Sequence, residues 1–146
     1  MPTSAQDLVR RYAECVNGKD VPGFLDLFHA DVTLHDAAAP GGLIEGVANL
    51  QQFLAGNLAA FPDFTIVVDA VLNTTGDEVA WRGAVRGTVQ GGLNGAAATG
   101  KRFSVPIAEL YRLVDGKIQE AWIYLDMLDL LTQLGVIPAR GEAATA

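Results

Sequence analysis

The sequence predicts an α+β fold, in which N-terminal helices close a cone-shaped, curved antiparallel sheet. Apolar residues recur at helical spacing up to Pro62, whereas from Phe64 onward the hydrophobic period changes to two, which is typical of strands. The links between the later segments are turn sequences, such as Asp115-Gly116, that join antiparallel neighbours. Helices followed by a meander of strands are the pattern of the α+β class.

Three amphipathic segments in the first half of the chain predict helices: residues 3–18, 20–30 and 47–61. Thr3 or Ser4 is suited to cap the first helix, and Pro62 stops the pattern of the third. A brief strand over 31–36 is expected between the second and third helices. These helices are expected to pack on one face of the sheet.

Four long segments with a period of two predict consecutive strands: residues 64–73, 78–90, 102–114 and 117–126. Pro106 lies inside the third of these, so we expect a sheet edge or a bulge there, because proline cannot donate to a ladder. The glycine-rich connection at 91–101 lacks the strand-to-helix context of a phosphate loop and predicts a mobile hairpin connection near the pocket. Residues 120–135 begin as a strand and end as an apolar helix.

Length and composition fit one globular domain over residues 1–137, followed by a disordered tail at 138–146 that has no apolar periodicity. Half of the 146 residues are hydrophobic and 18% are charged, so the chain can bury a sizeable core. The formal charge of -7, with no basic run, argues against nucleic acid and anionic membrane as partners.

Cysteine usage and the start of the chain favour a cytoplasmic protein. Cys15 is the single cysteine and cannot form an internal disulfide. The first residues lack the apolar stretch of a signal peptide, and no apolar run approaches the roughly 20 residues that span a bilayer. The mouth of the predicted cone is instead a natural site for a hydrophobic small molecule.

Six segments, in this order, resemble the SnoaL-like polyketide cyclases of the nuclear transport factor 2-like superfamily: ADVTLHD, FPDFTIVVDAV, GDEVAWRGAVRGT, AATGKRFSV, LYRLVDGKIQEAW and DMLDLLTQLG. The resemblance covers most of the chain. It implies a cone-shaped α+β barrel, a homodimer, and a pocket that performs acid/base chemistry without a metal or an organic cofactor. The implied reaction is an intramolecular aldol condensation, with an aspartate before the LLxQLG segment as the base. Asp126 matches that position.

Two short segments depart from the family pattern. The chain has Val89 in GTVQG, where family members often have a histidine. It has Ala121, Trp122 and Ile123 where they often show HWD near the last strand. Two polar candidates of the family pocket are therefore missing.

Asp126 has two competing interpretations. Strand alternation puts one group of side chains on a common face: Glu120, Trp122, Tyr124 and Asp126. A carboxylate framed by these aromatic rings would be basic enough to take a proton next to a carbonyl. However, Asp126 also precedes an apolar helix, where aspartate is a common N-cap.

His35 is the first candidate donor to a developing enolate, and its alternative is a structural histidine at a strand end. His29, His35, Asp31 and Asp36 match no usual metal-ligand spacing, so the sequence assigns no metal. Arg82 lies in an apolar strand segment and is expected either to bind substrate or to lie on the solvent face of the sheet.

Glu109 is the second candidate pocket acid, with an ion pair across the sheet as its alternative. The substrate-binding set that the sequence predicts completes the candidate site: Tyr12, Trp81, Arg82, Phe103, Glu109, Trp122 and Tyr124. For the aromatic members the alternative is plain core packing. The functional interpretation of Tyr12 is a phenolic hydrogen bond to an enolate, and nothing in its helix distinguishes this from packing.

The sequence therefore predicts a cofactor-independent cyclase- or isomerase-like enzyme that abstracts a proton next to a carbonyl and closes a ring of a hydrophobic substrate. One alternative is an epoxide hydrolase- or hydroxylase-like enzyme on the same scaffold, for which Arg82 and Glu109 or Asp69 would have to converge on Asp126. The other is a non-catalytic module that binds a small ligand or dimerises.

Overall fold

The computed structural model describes residues 4–90 and 99–138, without the side chains of 73–75. Most of the glycine-rich connection at 91–101 and nearly all of the tail at 138–146 lie outside the described residues. None of the helices within these two ranges is long and apolar enough to cross a bilayer.

Four helices and six strands make up the described chain, in this order: α1 Ala5–Asn17, α2 Val21–Leu25, β1 Phe28–Asp36, β2 Leu43–Glu45, α3 Val47–Ala60, β3 Thr65–Thr75, β4 Glu78–Thr88, β5 Arg102–Val114, β6 Lys117–Leu125 and α4 Met127–Gln133. The predicted second helix is shorter than expected, because its C-terminal half begins β1. Side-chain caps start three of the helices, since the oxygens of Ser4, Asp20 and Asp126 each accept a backbone N–H from the first turn.

The strands form one sheet in the order β2-β1-β6-β5-β4-β3. The meander from β3 to β6 is antiparallel, as the turn sequences predict. Two features were not predicted. Strand β2 has three residues, which are too few to show an alternating hydrophobic pattern. The parallel pairing of β1 with β6 was missed because no turn sequence joins these two strands directly.

Pro106 lies where β5 loses one of its two neighbours. The β4–β5 register runs without a bulge through the pair Ala84 and Pro106, whereas the β5–β6 register begins one residue later, at Ile107 and Leu125. Only β4 flanks Pro106, so the predicted edge position is confirmed and no bulge is needed there.

Side chains of β5 alternate between a buried face and an exposed face. Residues 103, 105, 107, 109 and 111 are buried and point toward the helices, where most of the core lies. The opposite face carries Leu110 and, on β6, Tyr124, which are 41% and 60% exposed. A Cβ added to Gly83 would collide with the Val67 carbonyl, next to a register shift in β3, so this bend of the sheet requires glycine. The sheet thus curves around a cavity on its buried face.

Candidate active site

A cavity of about 100 Å³ lies between the helices and the buried face of the sheet. Its lining is mainly aliphatic and aromatic, with side chains from all four α-helices, from five strands and from the loops between them. Four polar side chains reach it: Tyr12, Asp36, Asn57 and Glu109. Two of these are carboxyls, which are costly to bury in apolar surroundings and therefore mark the cavity as a candidate active site.

Glu109 is the most deeply buried of these groups, with 2% of its surface exposed. The Tyr12 hydroxyl donates to its Oε1 at 3.0 Å. Burial raises the pKa of Glu109 to about 8, the Tyr12 hydrogen bond opposes this rise, and the negative charge of Asp36 adds to it. Glu109 is therefore mostly a neutral acid at pH 7.

The second oxygen of Glu109 faces the cavity. Oε2 has no hydrogen-bond partner among the described residues. Among the described residues that are not exposed, every fully buried side-chain oxygen has a hydrogen-bond partner. Oε2 has none, so it is not fully buried and retains accessible surface. Since Glu109 lines the cavity, that surface is cavity surface.

Asp36 is the second cavity acid, and it is not among the site residues predicted from the sequence. It ends β1, where Val32, Leu34 and Asp36 alternate inward and Asp36 is 7% exposed. Its Oδ1 accepts the Ala38 backbone N–H at 2.9 Å. Burial raises the pKa of Asp36, and the Ala38 hydrogen bond opposes that rise. The alternation of Val32 and Leu34 was the signal that could have placed Asp36 on the inner face.

Behind Glu109 lies a buried polar group that does not line the cavity. The Trp81 indole N–H donates to the Tyr111 hydroxyl at 2.8 Å, and both residues are 1% exposed. The Tyr12 and Tyr111 rings are 5.6 Å apart, and burial raises the pKa of both hydroxyls. Trp81 was predicted to contact substrate, but it lies one layer behind the cavity wall. Tyr12, Phe103 and Glu109 do line the cavity as predicted.

Asp126 lies outside this cavity. Its Oδ1 accepts the Asp129 backbone N–H at 2.9 Å and caps α4, and the residue is exposed. The predicted grouping of Asp126 with Trp122 and Tyr124 places them on the outer face, because the inward positions of β6 are Ala121, Ile123 and Leu125. Sequence alternation grouped these side chains correctly but assigned them to the wrong side of the sheet.

Arg82 also faces outward, in a shallow depression shared with Asp69, Tyr124 and Asp126. Both carboxylates and the guanidinium are exposed there. Glu109 is separated from them by the sheet, so the convergence of Arg82, Glu109 and Asp126 that a hydrolase-like site would need does not occur. The other combination, Arg82 with Asp69 and Asp126, is exposed to solvent, and water weakens the interactions between its charges.

His35 lies on the outer face as well, so the predicted donor does not reach the cavity. Its Nε2 is 2.8 Å from Glu120 Oε2, and its ring stacks on Trp122 with centroids 5.5 Å apart. Arg112 contacts the other oxygen of Glu120 at 3.4 Å. His35 and Asp36 are neighbours in β1, and alternation sends them to opposite faces of the sheet.

Position 123, the last position of the missing HWD motif, lies directly opposite Glu109 in the sheet. Ile123 lines the cavity and is the direct cross-strand partner of Glu109. An acidic residue at 123 would therefore point into the cavity next to position 109. This chain instead has one of its two cavity acids, Glu109, on β5, one strand away.

The cavity opens toward a groove of about 520 Å³ on the surface between α3 and β2. Ala38, Phe53 and Asn57 line both spaces and form the mouth between them. The groove adds polar side chains that the cavity lacks, among them Glu45, Asn49 and Gln52.

The chain belongs to the SnoaL-like polyketide cyclase family, whose pattern matches residues 6–134. Among its relatives, an aklanonic acid methyl ester cyclase, DauD from Streptomyces sp. (strain C5), is 33% identical over 137 residues, covering 88% of this chain and 80% of that protein. Two solved structures are similar over the whole domain. AclR, a candidate hydroxylase from Streptomyces galilaeus, is 29% identical with a TM-score of 0.80, covering 94% of this chain and 100% of that one.

The second structure is IdmH, a candidate polyketide cyclase from Streptomyces antibioticus. It is 28% identical with a TM-score of 0.78, covering 90% of this chain and 99% of that one. The predicted α+β cone of the nuclear transport factor 2-like superfamily is confirmed, with a sheet that is curved and not closed.

Proposed function

We propose that the chain catalyses an intramolecular aldol-type ring closure of a hydrophobic polyketide, with Asp36 as the base and neutral Glu109 as the acid. The observation that carries the proposal is that two carboxyls with raised pKa values share one apolar cavity. When their environments give two carboxyls different pKa values, one can be ionised while the other is neutral at the same pH. The ionised carboxylate can then accept a proton while the neutral acid donates one. Asp36, which accepts a backbone N–H, is the better candidate for the ionised member.

In the proposed reaction, Asp36 removes a proton from the carbon next to a carbonyl, and the carbonyl oxygen becomes an enolate that accepts the Glu109 proton in a hydrogen bond. The enolate carbon then attacks a second carbonyl of the same molecule, forming the new carbon–carbon bond. Asp36 returns its proton to the resulting alkoxide. No atom is gained or lost, so the product is an isomer of the substrate. Donors placed where negative charge develops are a large source of rate enhancement.

The substrate is expected to place only its reacting end in the cavity and the rest of its skeleton in the groove. An apolar cavity of 150 Å³ binds benzene, so a volume of about 100 Å³ suits a small part of a polyketide rather than all of it. The mouth at Ala38, Phe53 and Asn57 leads outward to polar side chains. This division favours a substrate with an apolar reacting end and a more polar remainder.

Aklanonic acid methyl ester, the compound in the name of the relative DauD, is the first substrate to test. We expect the purified protein to convert it, without added metal or cofactor, to a product of unchanged mass and altered chromatographic retention. A gain of one oxygen atom would instead indicate hydroxylation, and a gain of one water would indicate hydrolysis. Saturable binding without any conversion would favour the binding-module alternative.

We also propose that two copies associate through the outer face of the sheet. Leu110 and Tyr124 are exposed there at diagonal positions on neighbouring strands, and no helix of the described residues covers them. Sedimentation at micromolar concentration is expected to give about twice the 15.4 kDa chain mass. Leu110→Asp should yield monomers, whereas Leu128→Asp, at an exposed leucine on α4, should not. A wild-type monomer would contradict this association.

A further inference from the structure

We propose that Asn57 is a substrate-binding residue, whose side-chain amide donates a hydrogen bond to a carbonyl oxygen at the mouth of the cavity. The inference rests on the proposed function, in which the substrate passes through that mouth. It adds a requirement on the class of substrate, because the skeleton must carry a carbonyl oxygen at the point where it leaves the cavity for the groove.

The side chain of Asn57 is the one polar group of the cavity without a hydrogen bond to another described residue. The Tyr12 hydroxyl donates to Glu109, and Asp36 accepts the Ala38 backbone N–H. Asn57 is half-buried at the cavity wall, and its amide has no such partner in the described part of the chain. An amide side chain carries two N–H donors and an acceptor oxygen, so all of these are available to a ligand.

The inner face of α3 gives no structural reason for an amide at position 57. Four side chains of this helix line the cavity at helical spacing: Leu50, Phe53, Leu54 and Asn57. Leucine is a better helix former than asparagine and would bury more apolar surface at position 57. The amide therefore costs the fold stability and gains no hydrogen bond within the described residues, which is typical of a residue kept for function.

The preceding residue, Gly56, is also unfavourable for the helix. Glycine is a poor residue for a helix interior, and a Cβ added to Gly56 would meet no atom of the described chain within 4 Å, so no close contact requires glycine there. Gly56 lines the groove, and Asn57 lines both the groove and the cavity. Two adjacent residues of α3 thus lower helix stability exactly where the ligand space lies.

The number of available donors matches the proposed reaction, which involves two carbonyl oxygens. Within the described lining, the side chains with a free donor are neutral Glu109 and Asn57, because the Tyr12 proton is already used on Glu109. Asn57 forms the mouth together with Ala38, whose backbone N–H binds Asp36. A carbonyl held by Asn57 is therefore bound at the end of the cavity where the base lies.

The test compares two ligands of nearly equal shape: acetophenone, which has a carbonyl oxygen, and α-methylstyrene, which has a methylene group in its place. NMR titration follows each ligand in wild type and in Asn57→Leu, with the Asn57 side-chain amide signal identified by its loss in the variant. Acetophenone is expected to shift that signal in wild type. Asn57→Leu should weaken acetophenone binding by about 2- to 10-fold, the effect of one neutral hydrogen bond, and leave α-methylstyrene bound as tightly or more tightly.

Gln51→Leu is the matched control, because Gln51 is an exposed amide on the same helix that lines neither the cavity nor the groove. It should leave both affinities as in wild type. Urea unfolding separates binding from a structural role. Asn57→Leu should unfold at the same or a higher urea concentration than wild type, whereas loss of a residue that only supports the fold would lower the midpoint and change both affinities alike.

An Asn57 signal that does not respond to acetophenone would overturn the inference, as would an equal change in the two affinities on Asn57→Leu. The measurement needs no turnover. A protein in which Asn57 distinguishes the ketone but which converts no polyketide would therefore disprove the proposed function alone. Conversion of a polyketide by a protein whose Asn57 signal ignores the ketone would disprove this inference alone.

Discussion

Asp36→Asn is expected to lower the turnover of aklanonic acid methyl ester by about 10²- to 10⁴-fold, the range over which a general base contributes. Asparagine keeps the shape of aspartate and can still accept the Ala38 N–H through Oδ1, so the end of β1 should be preserved. It cannot take a proton from carbon, however. The loss should therefore appear in kcat with little change in KM, measured by chromatographic separation of the two isomers.

Asp126→Asn provides the comparison for that result. Asp126 caps α4 outside the cavity, so this variant should turn over substrate within a few-fold of wild type and lose about 1 kcal/mol of stability or less. If the order were reversed, with Asp126→Asn inactive and Asp36→Asn active, Asp36 would not be the base. Exchange of the substrate's α-proton with deuterated solvent separates a failure of proton abstraction from a failure of ring closure.

Glu109→Gln is expected to make the protein more stable than wild type above about pH 8. The folded-state pKa of Glu109 is raised to about 8 from its usual 4.5, so between these values the folded protein holds a proton that the unfolded chain releases. Wild-type stability attributable to Glu109 is therefore full below about pH 4.5 and falls by up to about 1.4 kcal/mol per pH unit until about pH 8. Glutamine does not titrate, so the Glu109→Gln variant does not lose this stability as the pH rises.

The measurement is urea unfolding of both proteins from pH 5 to pH 9, compared as the difference in free energy of unfolding at each pH. Taking the difference removes the part of the Asp36 titration that does not depend on Glu109; the pKa of Asp36 is raised in the same direction. Glu120→Gln is the matched control, because hydrogen bonds from His35 and Arg112 lower the pKa of that half-buried carboxyl. It should give no stabilisation at high pH. A Glu109→Gln difference that stays flat across the range would show that Glu109 is not a buried acid with a raised pKa.

The sequence predicted most of the fold because its signals are local. Turn residues and a period of two define the meander from β3 to β6, and capping residues mark the starts of α1 and α2. The parallel pairing of β1 with β6 joins residues far apart in the chain, and no turn announces it. The family was identified on ordered motifs and is confirmed.

The site was predicted only in part, for a related reason. Alternation correctly grouped Glu120, Trp122, Tyr124 and Asp126, yet it cannot say which of two faces a group occupies. That choice depends on where the helices pack and on the register that sets Ile123 opposite Glu109. Glu109 was found because aliphatic and aromatic neighbours surround it in β5.

The parallel ladder between β1 and β6 also sets an order of events during synthesis. It pairs Leu34 with Ala121 and His35 with Trp122, so the strand that ends in Asp36 waits for a partner that is made much later in synthesis. Glu109 likewise meets Ile123 only after β6 has been made. Until β6 has left the ribosome, both acids lie on incomplete sheet surface, and the cavity cannot form.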